Sequence, residues 1–352
     1  MKVAFLIGAG ASKPAGMPQT DEITRQVLSG EGCRSEDRIT NFLTLIRDHC
    51  TEYFGEYGKV RTPNYEDLYY AVAQIADHVT QEYENPALEP FIRELSRNGR
   101  LPSGVVGDAA SLGSLAVDCR EHIHEVVTSM LHRDPERIDH LECVIGAVRD
   151  SGISRVNVFT LNHDLVLERA LLEARIESVD GFGISRNGVR YWNPALYDRS
   201  ACRCRVFKLH GSINWYEFRP SRNSPERGTA GIPSGTDPDH TVDRHGRPQN
   251  PLNEGKSLLL IGTFNKMLHY TGGIFADLYC GFRRHLFAST LCVVSGYGFR
   301  DKGINGNLVE WLRRSDGNTL VIVHGKPEEA RNDARGAVRD FWDVLSRKAG
   351  SA

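Results

Sequence analysis

Apolar runs that break off in glycine or in clustered polar residues mark both ends of this chain, with a long stretch of helical periodicity between them. Residues 3 to 7 read Val-Ala-Phe-Leu-Ile, apolar on both alternating faces, which is the pattern of a strand covered on both sides in a parallel sheet. The run stops at Gly8-Ala9-Gly10-Ala11-Ser12. Gly8 and Gly10 allow a tight turn and let the backbone approach a diphosphate with no Cβ in the way. Ser12 stands where it would cap a following helix, whose first N–H groups favour an anion. The third glycine of the dehydrogenase pattern is missing, since the chain continues Ser12-Lys13-Pro14. By itself the segment reads equally as an ordinary strand–turn–helix junction.

Between about 20 and 150 the spacing predicts helices. Ile39, Phe42, Leu43, Ile46, Cys50 and Tyr53 recur at helical intervals, as do Leu68, Val72, Ile75 and Val79 behind a Thr62-Pro63-Asn64 start signal. Further helical patterns cover about 86 to 97, 109 to 132 and 136 to 149, with Gly/Pro breaks near 98 to 107 and at Pro135. Beyond 150, short β-rich runs alternate with helical ones. Strands are expected at 155–161, 204–209, 257–262, 291–296 and 319–325, and helices at 164–175, 274–288, 305–314 and 327–347. The last helix would carry Ala330, Ala337, Phe341 and Val344 on one apolar stripe. This alternation predicts an α/β fold, a doubly wound parallel sheet with helices on both faces. The strand at 3 to 7 must join that sheet, because one strand cannot stand alone. The expected organisation is a core of residues 1–20 plus 150–352, a helical insertion at 21–149, and a long polar loop rich in Pro, Gly, Arg and Asp at 217–256.

Composition narrows the function classes. With 352 residues, 40% hydrophobic and 25% charged, the chain is an ordinary globular protein long enough for a large core. The net charge of −2 argues against a surface built to coat nucleic acid. No apolar run approaches the roughly 20 residues of a membrane helix, and the first residues read as core strand rather than secretory signal, so a cytoplasmic protein is expected. The eight cysteines include one close pair, Cys202 and Cys204, and no second pair at zinc-ribbon spacing. Cys143 and Cys292 fall inside apolar patterns and read as buried thiols.

Polar motifs close three of the expected strands, at the end where an open α/β sheet places its ligand crevice. They are Thr160-Leu161-Asn162-His163-Asp164, then Lys208-Leu209-His210-Gly211-Ser212-Ile213-Asn214-Trp215, then Ser295-Gly296-Tyr297-Gly298-Phe299-Arg300-Asp301. Singly, Asn162 and Asp164 also read as turn and N-cap residues, His210 as a loop histidine, and Gly296 and Gly298 as turn formers. Together they put an amide, a carboxylate and an imidazole along one sheet edge.

In this order, the glycine turn and the three motifs resemble the sirtuin superfamily. Within it they are most similar to the bacterial sirtuin-like NAD-consuming effectors of anti-phage defence. The helical stretch opening Asn64-Tyr65-Glu66-Asp67-Leu68 looks like the insertion of those effectors. The resemblance implies a Rossmann-like, sirtuin-type fold with NAD as substrate. It implies that Gly8, Ala9, Gly10 and Ser12 cradle the NAD diphosphate, and that Thr160 belongs to the binding site. Asn162 would hold the nicotinamide ribose and the attacking group, Asp164 would face the carboxamide, and His210 would be the general base. Ser295, Gly296 and Tyr297 would line the adenosine side, with His324 near the adenine.

Two departures from deacylating sirtuins bear on the subclass. Those enzymes carry a four-cysteine zinc module after the histidine motif, whereas no cysteine lies between Cys204 and Cys280 here, so no zinc is expected. The turn also continues Lys13-Pro14-Ala15-Gly16-Met17-Pro18 without the phenylalanine–arginine pair of deacylases. The expectation is therefore an NAD glycohydrolase releasing nicotinamide and ADP-ribose. The alternatives are a protein deacylase, an ADP-ribosyltransferase, or a non-catalytic NAD or ADP-ribose binding subunit. The resemblance further implies a homo-oligomer working with a separately encoded HerA-type ATPase or other sensor.

Overall fold

The computed structural model describes residues 1–31, 36–56, 58, 61–80, 86, 88–97, 109–185, 188–199, 201–219, 228–234, 250–251, 256–263, 265–339 and 342. They form two compact units, one of Met1–Met17, His132–Leu260 and Met267–Ala352, the other of Pro18–Leu131 and Ile261–Lys266. The expected break at 98 to 107, Cys33, and the stripe residues Phe341 and Val344 lie outside the described residues.

The first unit is built on β1 (Lys2–Ile7), β2 (Arg155–Thr160), β3 (Ser178–Val179), β5 (Cys204–Lys208), β9 (Leu291–Ser295) and β10 (Thr319–Val323). All pair in parallel, in the order β10-β9-β1-β2-β5-β3. β1 lies inside the sheet, as its two apolar faces predict. Val3, Phe5, Ile7, Val156 and Val158 pack on Val144, Ile145 and Val148 of α6 (Glu142–Arg149) and on Leu167 and Leu171 of α7 (Val166–Glu173). On the other face, Leu6, Phe159, Phe207 and Val294 meet Leu278 and Phe282 of α10 (Gly273–Phe287) and Leu308 and Trp311 of α11 (Lys302–Arg314). Helices cover both faces, so the sheet is doubly wound and the fold is Rossmann-like. The register aligns the strand ends, with Val323, Ser295, Ile7, Thr160 and Lys208 in one row across five strands. That row brings the glycine turn and the three motifs to one edge.

The same unit holds an antiparallel sheet in the order β4-β7-β6-β8, from β4 (Val189–Tyr191), β6 (Tyr216–Arg219), β7 (Thr229–Pro233) and β8 (Asn250–Pro251). Part of the segment expected to be one polar loop is therefore strand. β8 is two residues long and β7 carries Gly231 and Pro233, which obscures their pattern, while β6 does alternate, with Tyr216 and Phe218 buried on either side of Glu217. The rest of that segment, 220–227, 235–249 and 252–255, lies outside the described residues. Three further expectations are corrected. The run 257–262 joins neither sheet; Leu258 and Leu260 lie along the loop after β5, with their N–H groups donating to Trp215 and His210 carbonyls. The terminal helix is broken, because α12 (Pro327–Asp333) stops before Gly336, whose φ of 66° is left-handed, and Ala337 is exposed while Val338 is buried. Cys143 is exposed on the outer side of α6, although Cys204 and Cys292 are buried thiols pushed up to about 12. Between α7 and α12 the chain also forms the short helices α8 (Leu196–Arg199) and α9 (Asn265–His269).

The second unit contains α1 (Thr20–Ser29), α2 (Asp37–Glu56), α3 (Tyr65–Val79), α4 (Leu88–Arg97) and α5 (Ala109–Leu131). α3 packs on α5, burying Leu68, Val72 and Ile75 with Leu112, Ala116 and Cys119. Asn64 starts α3 as predicted: its Oδ1 accepts from the Glu66 and Asp67 N–H groups, and Asp67 Oδ2 accepts the Asn64 N–H.

Phe159 sits at the centre of the sheet core, its ring 5.1 Å from Phe207 and 4.9 Å from Phe282. Phe159→Ala should therefore cost about 3–5 kcal/mol in urea unfolding. A loss below about 1 kcal/mol would show that the site collapses onto the gap instead of leaving a cavity.

Candidate functional site

The site starts where the backbone leaves β1. The Gly8 N–H donates to the Ser295 carbonyl and the Gly10 N–H to the Gly296 carbonyl, both at 2.9 Å, so the turn after β1 is stitched to the turn after β9. Side chains would prevent this. A Cβ on Gly8 would lie 2.7 Å from the Gly296 oxygen, and one on Gly296, whose φ is +63°, would lie 2.0 Å from the Ala11 nitrogen. β1 continues to its neighbour β2 while β9 returns on its other side, which makes this the switch point of the sheet.

Ser12 does not act as expected. The turn runs into two 3-10 turns, Ala9–Ala11 and Lys13–Ala15, ended by left-handed Gly16, and Ser12 makes no side-chain cap. Pro14 and Gly16 stop the backbone from settling into an α-helix there. Ser12 Oγ instead accepts a 2.9 Å hydrogen bond from Asn162 Nδ2, which also donates to the Gly8 carbonyl at 3.1 Å. The Asn162 N–H donates to Thr160 Oγ1 at 3.1 Å. Both amide protons of Asn162 are thus committed to the glycine turn. Its Oδ1 is the one hydrogen-bonding atom of that side chain left for a ligand.

Asn162 lines a small cleft with Ala11, Ser12, Thr160, Asp164 and Lys208, backed by apolar Ile7, Leu141 and Leu167. Asp164 Oδ1 accepts the Val166 N–H at 3.1 Å in an Asx turn just before α7, whose N-cap is Leu165, so Asp164 is a turn residue of the cleft and not the helix cap. Lys208 is buried, with Nζ 2.9 Å from Glu168 Oε1 and donating to the Asp164 carbonyl. The loops after β2 and β5 are joined where the Ile213 N–H donates to the His163 carbonyl at 3.1 Å.

His210 is buried and is not among the residues that line this cleft. Its Nε2 lies 2.9 Å from Tyr270 Oη and 3.1 Å from Asp301 Oδ2, and the Tyr270 hydroxyl donates to the same Oδ2 at 3.0 Å. Burial and the Asp301 charge hold the Tyr270 phenol well above its usual pKa, so it is a neutral donor. Asp301 Oδ1 caps α11 through the Gly303 and Ile304 N–H groups.

The remaining predicted residues spread along the edge. Ala9 and Gly10 are exposed at the tip of the turn. Ser295 and Gly296 contribute backbone carbonyls to the stitch. Tyr297 is buried, its hydroxyl donating to Asn305 Oδ1 at 2.9 Å and its ring 4.8 Å from Phe299. His324 follows β10, two strands from β1, with Nδ1 accepting the Lys326 N–H. The residues around His210 were missed as participants. Asp301 closes a recognised motif, but Tyr270 lies in a stretch with no pattern of its own. His140, beside Leu141 of the cleft wall, was also missed; burial lowers its pKa and favours the neutral imidazole. Among the described residues, no group of three or more His, Cys, Asp or Glu side chains is arranged to hold a metal ion.

Gly296→Ala should lower stability by more than about 2 kcal/mol, because it combines a left-handed backbone with a clash. Gly298→Ala, where a Cβ meets nothing within 4 Å, should be nearly neutral. Equal melting temperatures for the two variants would contradict the stitch.

No curated protein matches this chain. Among solved structures, it is similar to a Sir2 homologue crystallised as an NAD complex, with 12% identity, 98% of this chain and 88% of that chain covered, and a TM-score of 0.42. It is also similar to Sir2Tm bound to a propionylated peptide, with 13% identity, 98% and 92% coverage, and a TM-score of 0.35. The family model described as a SIR2-like domain matches residues 156–342, more than half of the sequence and all three polar motifs. The chain belongs to the SIR2-like family.

Proposed function

We propose that this protein cleaves the nicotinamide–ribose bond of NAD, releasing nicotinamide and ADP-ribose. The observation that carries the reading is the anchoring of Asn162 by Gly8 and Ser12, in a chain of the SIR2-like family. The Gly8–Ser12 turn offers small, close-approaching backbone to a diphosphate, and Asn162 Oδ1 would meet the nicotinamide ribose in the cleft.

The chemistry suits these residue types. Nicotinamide leaves as a neutral molecule through an oxocarbenium-like state, so departure needs positioning more than proton donation. Asn162 orients the ribose without adding charge beside the developing cation. The Lys208–Glu168 ion pair cancels internally, which leaves the Asp164 carboxylate to favour that cation electrostatically. His210 would take the proton of the attacking water or ribose hydroxyl. The ordered motifs further support an effector of anti-phage defence, a cytoplasmic homo-oligomer that depletes NAD when a HerA-type ATPase or another sensor engages it. No helix among the described residues is long and apolar enough to cross a membrane.

The test is nicotinamide release from NAD, assayed with and without a separately encoded HerA-type ATPase. Asn162→Ala and His210→Ala should each lower turnover roughly a hundredfold or more while the protein stays folded. Near-normal cleavage by either variant would contradict the assignment.

A further inference from the structure

Among the described contacts, the three-way contact of His210, Tyr270 and Asp301 is satisfied by one arrangement of protons. Tyr270 has one hydroxyl proton and an ionised Asp301 has none to give. The phenol donates to Asp301 Oδ2 at 3.0 Å. Nε2 of His210 then faces two oxygens that need a donor, at 2.9 and 3.1 Å, and both contacts are attractive only when Nε2 carries hydrogen. His210 and the Asp301 side chain are 5% and 8% exposed, so water does not compete freely for these bonds. Asp301 cannot easily move away, because its other oxygen caps α11.

We infer that Asp301 and Tyr270 are positioning residues for His210, holding it as the Nε2–H tautomer so that the proton-accepting lone pair is on Nδ1. This inference rests on His210 being the base of NAD cleavage. In that step an O–H bond of the attacking water breaks and its proton passes to Nδ1. The oxygen's electron pair forms the bond to the anomeric carbon as the carbon–nitrogen bond breaks and its electron pair leaves with neutral nicotinamide, and the imidazolium charge is held by Asp301. Among the described residues, titratable groups packed on the ring include Asp301 at the start of α11, Tyr270 after α9, and His163 in the loop after β2, whose ring centroid is 6.3 Å away. Asp301 supplies the negative charge of this set and raises the tendency of His210 to take up a proton.

Nitrogen NMR of the full chain labelled with ¹⁵N-histidine tests this, with His210→Ala identifying the His210 signals. The expected result is Nε2–H in the unmodified protein, and a mixed or reversed tautomer in Asp301→Asn. That variant keeps an oxygen to cap α11 while removing the charge. In the NAD assay, Asp301→Asn should lower kcat about a hundredfold with little change in KM. A base works above its pKa, and loss of the carboxylate lowers that pKa, so the acidic limb of the rate profile should move to lower pH. Tyr270→Phe should move tautomer and rate in the same directions, less strongly. Adding Asp301→Asn to His210→Ala should lower the rate no further. An Nδ1–H tautomer in the unmodified protein, or an Asp301→Asn variant with unchanged tautomer and pH profile, would overturn the inference. If no form of the protein releases nicotinamide, the functional reading fails while the NMR result still decides the role of Asp301.

Discussion

The contact between the turns after β1 and β9 is the constraint on which the site depends. Two backbone hydrogen bonds, from Gly8 to Ser295 and from Gly10 to Gly296, close a gap that is too narrow for a Cβ on any of the three glycines. Parallel register sets the strand ends in one row, but register alone leaves the loops beyond them free. The stitch fixes the first of those loops. Asn162 then ties the third strand of the group, β2, to the same turn through both protons of its side-chain amide. Removing the stitch would loosen the glycine turn and the asparagine together.

Charge is handled in layers around this neutral centre. Asn162 contributes no charge where a cation is proposed to develop. Lys208, buried at the end of β5, spends its charge on Glu168 and on the carbonyl of Asp164. A buried ammonium without such partners would be strongly disfavoured, so the pair serves to shape the Asp164 turn rather than to stabilise the fold. His210 is likewise surrounded by committed partners, a carboxylate and a neutral phenol.

The central strands were legible because cover on both faces leaves an unbroken apolar run, as at 3 to 7 and 291 to 294. The helices of the second unit were legible through their 3.6-residue spacing and the Asn64 cap. What escaped depends on long-range geometry. Ser12 reads as a helix cap locally, yet Asn162, 150 residues away, claims its hydroxyl. The run 257–262 has the composition of a strand, and its backbone is instead used by the loop after His210. Cys143 sits in an apolar string on the side of α6 that faces outward. Tyr270 carries no local signal, because its role comes from meeting His210 and Asp301 across 60 and 31 residues of sequence.

A crystal structure of the protein soaked with ADP-ribose tests the central claim most directly. The expected result is the diphosphate against the Gly8–Ser12 backbone and the terminal ribose within hydrogen-bond reach of Asn162 Oδ1, with Nδ2 still bonded to Gly8 and Ser12. ADP-ribose bound elsewhere, or an asparagine turned away from the glycine turn in the complex, would contradict it.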